Sequence, residues 1–300
     1  MSTLTIGLIG GTGLGDALGA EKGKAIELDT PFGKPSSPII KTQWQGVDVC
    51  ILQRHGPGHL LSPSNVPYRA NIYALKSLGV THIVASGATG SLREHIQPGD
   101  LVIVDQIIDK THKRAGSFYD HAAVHVEFAE PFCPVMRRWL LNAARQVGSA
   151  GGRVHDSGCY VCMEGPAFST RAESHMHRAW GGDLIGMTAM PEAKLAREAE
   201  IAYALIGLPT DYDCWRPHTV GAGGAGGAGG DLLAEILGNL KRATDAGIAL
   251  IKAALADVAS LREQRSPAHD ALKLAIWSDR KRIDSAEVRR LNVLWGRHFA

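Results

Sequence analysis

Short apolar segments that each end at glycine or polar residues constrain the fold of this chain more than any other sequence feature. The first covers residues 6–9 and stops at Gly10-Gly11-Thr12-Gly13, and similar segments occupy 47–52, 83–86, 101–104, 183–187 and 201–206. Stretches with helical periodicity lie between them, at about 66–78, 134–147, 171–180 and 192–199. Because buried strands alternate with helices in this way, we predict an α/β fold.

A Gly/Ala run over residues 221–230 interrupts this pattern. A segment of such composition cannot pack a core, so we predict a flexible lid loop over 219–231. From Asp231 the apolar residues recur at helical spacing, with an interruption expected near Gly247, and a tail helix is expected near 284–296. This part is too helical and too short for a separate domain. We therefore predict one domain over 1–300, with a mainly helical C-terminal part over 232–300.

Composition excludes several classes of function. The formal net charge is only +2, so no charge excess favours binding to nucleic acid or to an anionic membrane, and any anion site must be local. No apolar run approaches the ~18 residues of a membrane span, and no basic residue precedes the apolar N-terminal stretch. Five cysteines are an odd, sparse set that fits reduced thiols. We expect a cytoplasmic protein.

Two segments offer groups for an anion where predicted strands end. The glycine turn after the first strand presents backbone N–H groups and the Thr12 hydroxyl, although it does not match the dinucleotide fingerprint and could be a bare tight turn. Arg54 and His55 leave the next strand together, and Arg suits bidentate contact with phosphate, although a surface loop is the alternative. Gly-Pro-Gly between His55 and His59 prevents the helix that would bring both imidazoles to one face, which disfavours a metal site.

A second turn and a pair of acids are predicted at the same edge of the sheet. Residues 86–91 are small and follow an apolar segment, which favours an oxyanion pocket. Asp211 and Asp213 follow segment 201–206, and their carboxylates face one side if the chain is extended there. The pair could ligate a metal, act as glycosidase acid and base, bind an amino-purine edge, or form an ordinary acidic turn. The purine role fits a phosphate pocket best, because a buried carboxyl near N7 can protonate the leaving base.

Two further patterns are interpreted as structural. Cys159 and Cys162 resemble a redox or metal pair, but no second pair exists, and residues three apart on a strand point to opposite faces. His175 and His177 diverge if they lie on a helix. We therefore predict no metal.

A helix start is predicted from Thr170 and Glu173, whose spacing is that of a capping box. The helix that carries Arg171 to Trp180 is expected to begin directly after Thr170. The loop 164–168 then precedes a fixed helix end, and we interpret it as a candidate wall of the site.

An ordered series of short motifs spans residues 5–218. It comprises GGTGL at 10–14, PFGKPS at 31–36, RHG at 54–56, GSLRE at 90–94, AEPFC at 129–133, EGP at 164–166 and TDYDCW at 210–215. The series resembles the 5′-methylthioadenosine phosphorylase family, which belongs to the trimeric purine nucleoside phosphorylases. The resemblance implies a single α/β domain with a twisted mixed β-sheet flanked by helices, and a homotrimer.

The resemblance also implies roles for individual residues. Those implied to bind phosphate are Thr12, Arg54, His55, the backbone of Ala88, and Thr188. Those implied to bind the purine are Phe168, Asp211 and Asp213, with Asp211 nearest N7 as the catalytic acid. Those implied to face the ribose and the 5′-methylthio group are Met187, His59 and His125, with a neighbouring subunit as one source of His125.

Two departures from the family pattern are visible. Gly87 stands where the family usually has a hydroxyl residue before the Ala of the second turn, so one hydrogen bond to phosphate is missing. The Gly/Ala run 221–230 replaces a shorter segment whose apolar residues shape the 5′ pocket. The candidates for closing that pocket here are Leu232, Leu233 and Ile236.

The predicted reaction is the phosphorolysis of 5′-methylthioadenosine to adenine and 5-methylthioribose 1-phosphate, a step of methionine and purine salvage, by a pentosyltransferase without a cofactor. A 6-oxopurine is disfavoured because it offers an acceptor to Asp213. The nearest alternative is a purine nucleoside phosphorylase acting on adenosine or 5′-methylthioinosine. Hydrolysis without phosphate, a non-catalytic nucleoside-binding protein and a dehydrogenase are more distant alternatives.

Overall fold

A computed structural model describes residues 4–11, 14–19, 22–147, 152–216 and 228–299 of the chain. Several sequence-based predictions lie outside the described residues: Thr12, and the part of the lid loop that covers 219–227. The side chains of Leu232 and Leu233 are also outside them, although the backbone there is described as helical.

The described residues contain a sheet of eleven strands and a set of helices. The strands are β1 Thr5–Gly10, β2 Lys24–Ile26, β3 Ile39–Trp44, β4 Val47–Gln53, β5 His82–Ser91, β6 Leu101–Ile103, β7 Gln106–Lys110, β8 Val154–His155, β9 Cys159–Met163, β10 Leu184–Gly186 and β11 Ala202–Tyr212. The helices are α1 Leu14–Gly19, α2 Tyr68–Ser77, α3 Pro134–Val147, α4 Arg171–Ala179, α5 Ala189–Glu198, α6 Ala228–Ala256, α7 Val258–Arg262, α8 Ser285–Arg290 and α9 Asn292–Trp295.

The sheet branches at β5. This strand pairs in parallel with β1 along one edge and with β11 along the other, and its last residues pair in an antiparallel manner with β10. Beyond β1 lie β4, β3 and β2, beyond β10 lie β9 and β7, and β11 continues to β6 and β8. Parallel and antiparallel pairs both occur and helices flank the sheet, which confirms the predicted α/β fold with a mixed sheet.

Most of the core of the described chain lies in two apolar layers, one on each face of the sheet, and a small third cluster contains Leu92, Val161 and Ile185. Side chains of β11 alternate between them: Tyr203 and Leu205 join the layer that contains α2 and α5, while Ala204 and Ile206 join the layer that contains α3 and α6. A strand that is buried on both faces reads as a continuous apolar run, which explains why segment 201–206 was recognisable from the sequence.

Several local predictions are confirmed. Helix α3 has the bounds predicted from periodicity, and α4 begins after Thr170, whose side chain accepts from the backbone N–H of Glu173 while the Glu173 carboxylate accepts from that of Thr170. Cys159 and Cys162 lie on β9 as free thiols.

No helix in the described part of the chain is both long enough and apolar enough to cross a membrane.

Two predictions about local structure are wrong. Residues 86–91 do not form a turn: they continue β5, because β11 pairs with that strand along its whole length and supplies the backbone hydrogen bonds that a turn would have left to water. The helix after the lid also starts earlier and is not interrupted at Gly247. Helix α6 begins at Ala228, and Gly247 lies within it where a Cβ would contact Leu208 of β11, so tertiary packing offsets the low helix propensity of glycine.

Candidate active site

The carboxyl ends of several strands enclose a cavity of about 620 Å³. Strands β1, β4, β9 and β11 end at its wall, β5 contributes its second half, and α6 closes one side. Because β11 and β1 run parallel to β5, the residues that follow them meet at one edge of the sheet, which is where α/β proteins bind ligands. The residues that line the cavity at this edge include Gly11, His55, Gly87, Ala88, Met187, Thr188, Asp211 and Asp213.

One end of the cavity is rich in backbone and hydroxyl donors. Gly11, Gly87 and Ala88 form its floor, and Thr188 stands at the N-cap of α5. The Thr188 side chain makes no capping bond, and Met190 beyond it has non-helical φ and ψ, so the regular helix begins only after Met190. Backbone N–H groups and a hydroxyl in a concave wall form an arrangement suited to an anion.

Arg54 is placed differently from the prediction. It is fully buried and does not line the cavity, because its Nε and Nη2 donate to the two carboxylate oxygens of Glu192 at 2.7 and 2.8 Å. Its Nη1 donates to the carbonyl of Ser86 at 2.8 Å. The bidentate face predicted for phosphate is therefore occupied by Glu192 in this structure.

The Arg54 guanidinium nevertheless lies directly behind the wall of the cavity. A Cβ added to Gly11 would lie 2.7 Å from Arg54 Nη1, so only the glycine backbone separates that nitrogen from the cavity. Burial alone would lower the pKa of Arg54, but the adjacent Glu192 carboxylate outweighs it and raises the pKa. Arg54 is therefore a permanent cation that is held rigidly behind the donor-rich end.

Glu192 was missed by sequence reasoning. It lies in the first turn of α5, and besides Arg54 it accepts a hydrogen bond of 2.7 Å from the Tyr203 hydroxyl. An acid within a helical segment is usually a solvated residue, and nothing in its local sequence distinguishes it.

His55 lines the cavity as a neutral imidazole. Its Nδ1 lies 2.7 Å from the carbonyl of Leu61, which can only accept, so Nδ1 carries the proton and Nε2 is an acceptor. Burial, and secondarily the positive charge of Arg54, lower the pKa of His55 to about 4. The ring stacks on His59 with 4.2 Å between the centroids, and His59 also lines the cavity.

Asp211 and Asp213 both line the opposite end of the cavity, as expected for acids two residues apart in an extended chain. The Thr210 hydroxyl donates to Asp211 Oδ1 at 2.7 Å. Asp213 is buried, and its Oδ2 has no hydrogen-bond partner among the described residues. A buried carboxylate oxygen without a donor is costly, so this atom is available for a donor on a ligand.

Apolar side chains cover the space between these two ends. Phe168 stands at the rim, 83% exposed, and Met187 lies deeper. Of the predicted closing residues, Ile236 of α6 lines the cavity, and it is joined there by two residues that sequence reasoning missed, Leu237 and Leu240. The three residues lie on one face of α6, so the apolar periodicity of this helix could have indicated Leu237 and Leu240 as lining residues.

His125 lies apart from the cavity of its own chain. Its backbone N–H donates to the carbonyl of Ala275, and its ring packs 4.7 Å from that of Trp277. Trp277 and the nearby Leu274 are large apolar side chains that are 71% and 85% exposed. A contribution of His125 to a site can therefore come only from another chain, and that role stays a prediction.

Comparison with known proteins identifies the class. A family model described as the phosphorylase superfamily matches residues 5–256. An S-methyl-5′-thioadenosine phosphorylase of Thermosynechococcus vestitus is 42% identical over 99% of this chain and 100% of its own. A crystal structure of a methylthioadenosine phosphorylase from an antarctic soil metagenomic library superposes with a TM-score of 0.83, at 43% identity, over 98% of this chain and 99% of that one.

A second similar structure was solved with a ligand bound. The methylthioadenosine phosphorylase of Schistosoma mansoni in complex with tubercidin has a TM-score of 0.80 and 34% identity, covering 92% of this chain and all of that one. The chain thus belongs to the phosphorylase superfamily and has its fold. Within it, this protein belongs to the S-methyl-5′-thioadenosine phosphorylase family. Membership confirms the predicted resemblance and the prediction of a pentosyltransferase.

Proposed function

We propose that this protein catalyses the phosphorolysis of 5′-methylthioadenosine, releasing adenine and 5-methylthioribose 1-phosphate. The observation that carries the proposal is the pairing of a donor-rich end with an unpaired carboxylate oxygen in one cavity, namely the Thr188 region and Asp213 Oδ2. The first suits an inorganic anion and the second suits an amino group. The names of the relatives support the same reaction.

In the proposed complex, phosphate lies between His55, the Ala88 backbone and Thr188. We also propose Thr12 as a phosphate ligand, because the family resemblance implies that role. His55 Nε2 accepts a hydrogen bond from a protonated phosphate oxygen, and the Thr188 hydroxyl donates one to the anion. Arg54 stabilises the phosphate as a fixed positive charge behind Gly11, because the Glu192 carboxylate holds its guanidinium in place. This modifies the predicted role of Arg54, which was direct bidentate contact.

Catalysis then needs alignment and one proton. A phosphate oxygen forms a bond to the anomeric carbon as the bond from that carbon to adenine N9 breaks, and the electron pair of that bond goes to the purine. Asp211, protonated in the complex, gives its proton to N7, so adenine leaves as a neutral base. Such a proton contributes typically ~10²–10⁴-fold to the rate. No covalent enzyme intermediate and no cofactor is invoked.

Recognition of the base follows from Asp213. Its unpaired Oδ2 accepts from the exocyclic amine of adenine, whereas a 6-oxopurine would place an oxygen against it and leave the buried carboxylate without a donor. Phe168 packs on the purine face, and Met187 contacts the ribose. The 5′-methylthio group faces His59 and the apolar residues of α6.

The experiment that tests this function measures adenine release from 5′-methylthioadenosine with and without phosphate, beside adenosine, inosine and 5′-methylthioinosine. We expect release that depends on phosphate and is fastest with 5′-methylthioadenosine. Release without phosphate would identify a hydrolase. A preference for inosine would refute the role given to Asp213, and tight binding without turnover would indicate a nucleoside-binding protein.

The biological setting belongs to the same proposal. We place the reaction in methionine and purine salvage in the cytoplasm, in keeping with the free cysteines of the chain. A homotrimer would cover the exposed Leu274 and Trp277 and bring His125 to the 5′ end of a neighbouring cavity. The single domain over 1–300 and the lid role of the Gly/Ala run also stay predictions.

Replacing Gly87 with Ser is expected to lower the KM for phosphate. A Cβ at Gly87 would lie 3.6 Å from Thr188 Oγ1, which is an ordinary contact, so a side chain fits at the donor-rich end of the cavity. One added hydrogen bond is worth about 0.5–1.5 kcal/mol, or roughly twofold to tenfold in KM. Gly87→Ala is the control, since it adds the methylene without the hydroxyl. Equal KM values for both variants would contradict the missing-donor interpretation.

A further inference from the structure

A buried ion pair between Arg114 and Glu164 lies beside the segments that line the cavity. Arg114 follows β7 and Glu164 follows β9, and because these strands pair in parallel, both residues emerge at one edge of the sheet. The Arg114 side chain is 2% exposed, and its Nε lies 3.2 Å from Glu164 Oε1. Neither side chain takes part in the proposed chemistry.

The guanidinium of Arg114 joins two wall segments of the cavity. Its Nη1 donates to the carbonyls of Met187 and Met190, both at 2.6 Å, and its Nη2 donates to the carbonyl of Glu164 at 2.6 Å. Thr188 lies between the first two carbonyls. The turn 187–190 therefore cannot move relative to Glu164 without breaking charge-assisted hydrogen bonds, which are about twice as strong as neutral ones.

The Glu164 carboxylate is held by donors from two other segments. Ser64 donates its hydroxyl to Oε1, and the backbone N–H groups of His112 and Lys113 donate to Oε2 at 2.8 and 3.3 Å. Burial alone would raise the pKa of Glu164, but the hydrogen bonds from Ser64, His112 and Lys113 outweigh it and lower the pKa to about 2. Glu164 is thus a permanent anion, and it fixes the position of Arg114.

The same pair places the loop that carries Phe168. Gly165 has a φ of +71°, and a Cβ there would lie 2.6 Å from Met187 Sδ. The loop backbone therefore packs directly on the Met187 side chain. Any shift of the turn 187–190 is passed to the segment that leads to Phe168.

We propose that Arg114 is a positioning residue, which aligns Met187 and Thr188 with the Phe168 loop by joining the turn 187–190 to Glu164. The proposal rests on the proposed function, because its purpose is to align nucleoside and phosphate for in-line attack. A misplacement of about 1 Å in such a geometry can cost ~10²-fold in rate. Loss of the bridge is therefore expected to act on kcat as well as on ligand affinity.

Arg114→Lys tests this proposal, because lysine keeps the charge but cannot hold three carbonyls and a carboxylate oxygen in one plane. We expect kcat for phosphorolysis to fall by about 10²-fold. The matched control is Arg197→Lys: Arg197 is also largely buried and donates to the carbonyls of Glu127 and Glu130, but it does not line or adjoin the cavity. This control is expected to lower the melting temperature while leaving kcat within about twofold of the wild type.

The rise in melting temperature on adding phosphate is measured for all three proteins as a readout that needs no turnover. We expect it to be retained in Arg197→Lys and reduced in Arg114→Lys. If the wild type shows no phosphate-dependent release of adenine, the proposed function fails, and this readout still decides the positioning role. Equal phosphate effects in the three proteins, or equal kcat losses in both variants, would overturn the proposal.

A second variant covers the case in which Arg114→Lys does not fold. Arg114→Met combined with Glu164→Gln removes both charges, so no unpaired buried ion remains. It is expected to fold, to lose at least as much kcat as the lysine variant and to show the smaller phosphate effect. A folded double variant with wild-type kcat would overturn the positioning role.

Discussion

Replacing Asp211 with Asn is expected to lower kcat for 5′-methylthioadenosine by about 10²–10⁴-fold. Asparagine keeps the size of the side chain but cannot give a proton to N7. Because the leaving base needs that proton only as the glycosidic bond breaks, kcat and kcat/KM should fall together while KM changes little. Steady-state kinetics at saturating phosphate measures this, with the melting temperature as a check on folding.

Asp213→Asn is the control for that variant, since it makes the same atomic change two residues away. Asp213 is expected to act on base recognition, so its replacement should raise KM for 5′-methylthioadenosine and reduce the preference for a 6-amino over a 6-oxo base. If Asp211→Asn turns over at the wild-type rate, or if the two variants behave alike, the division of roles between the carboxyls is wrong.

Replacing Glu192 with Gln is expected to lower the free energy of unfolding by about 3–5 kcal/mol. The change leaves Arg54 charged and fully buried without its counter-ion, and the glutamine amide can accept only one of the two hydrogen bonds that the Glu192 carboxylate accepted. Thermal or urea unfolding measures the loss. The control is Asp245→Asn, which breaks the exposed pair between Lys241 and Asp245 and should cost about 0.5 kcal/mol or less.

A double variant separates stability from function at this site. Arg54→Met with Glu192→Leu replaces the ion pair by apolar side chains, and such replacements are often neutral or stabilising. We expect the free energy of unfolding to return to that of the wild type. The KM for phosphate should nevertheless be higher than in the wild type, because the fixed charge behind Gly11 is gone. A double variant with wild-type phosphate KM would show that Arg54 has a purely structural role. A small loss of unfolding free energy in Glu192→Gln would instead contradict the interpretation of Arg54 and Glu192 as a fully desolvated pair.

The two buried Arg–Glu pairs have related tasks close to the cavity. The Arg54–Glu192 pair lies behind Gly11, and the Arg114–Glu164 pair holds the backbone carbonyls on either side of Thr188. Both anchor residues that follow strands, where the chain leaves the sheet and has fewest backbone partners. Placing charge there costs desolvation, which explains why each guanidinium is surrounded by carbonyl and carboxylate acceptors.

The sequence by itself determined the features that depend on near neighbours. The capping box of Thr170 and Glu173, the bounds of α3 and the apolar run within β11 each follow from a periodicity or a pair of residues a few positions apart. Asp211 and Asp213 line one cavity, but Thr210 and Cys214 line it too, so the twofold repeat of an extended chain does not by itself explain their placement. The ordered motifs also identified the family.

Only the tertiary structure decided which distant groups meet. Arg54 and Glu192 are 138 residues apart, and no local pattern shows that α5 carries an acid into the space behind β4. Residues 86–91 became strand because β11 supplies partners along their length, and Arg114 became a bridge because β7 and β9 end side by side. The physical reason is common to all three. A buried polar group takes whatever partner the packed topology brings to it, and that partner leaves no periodic signal in the sequence.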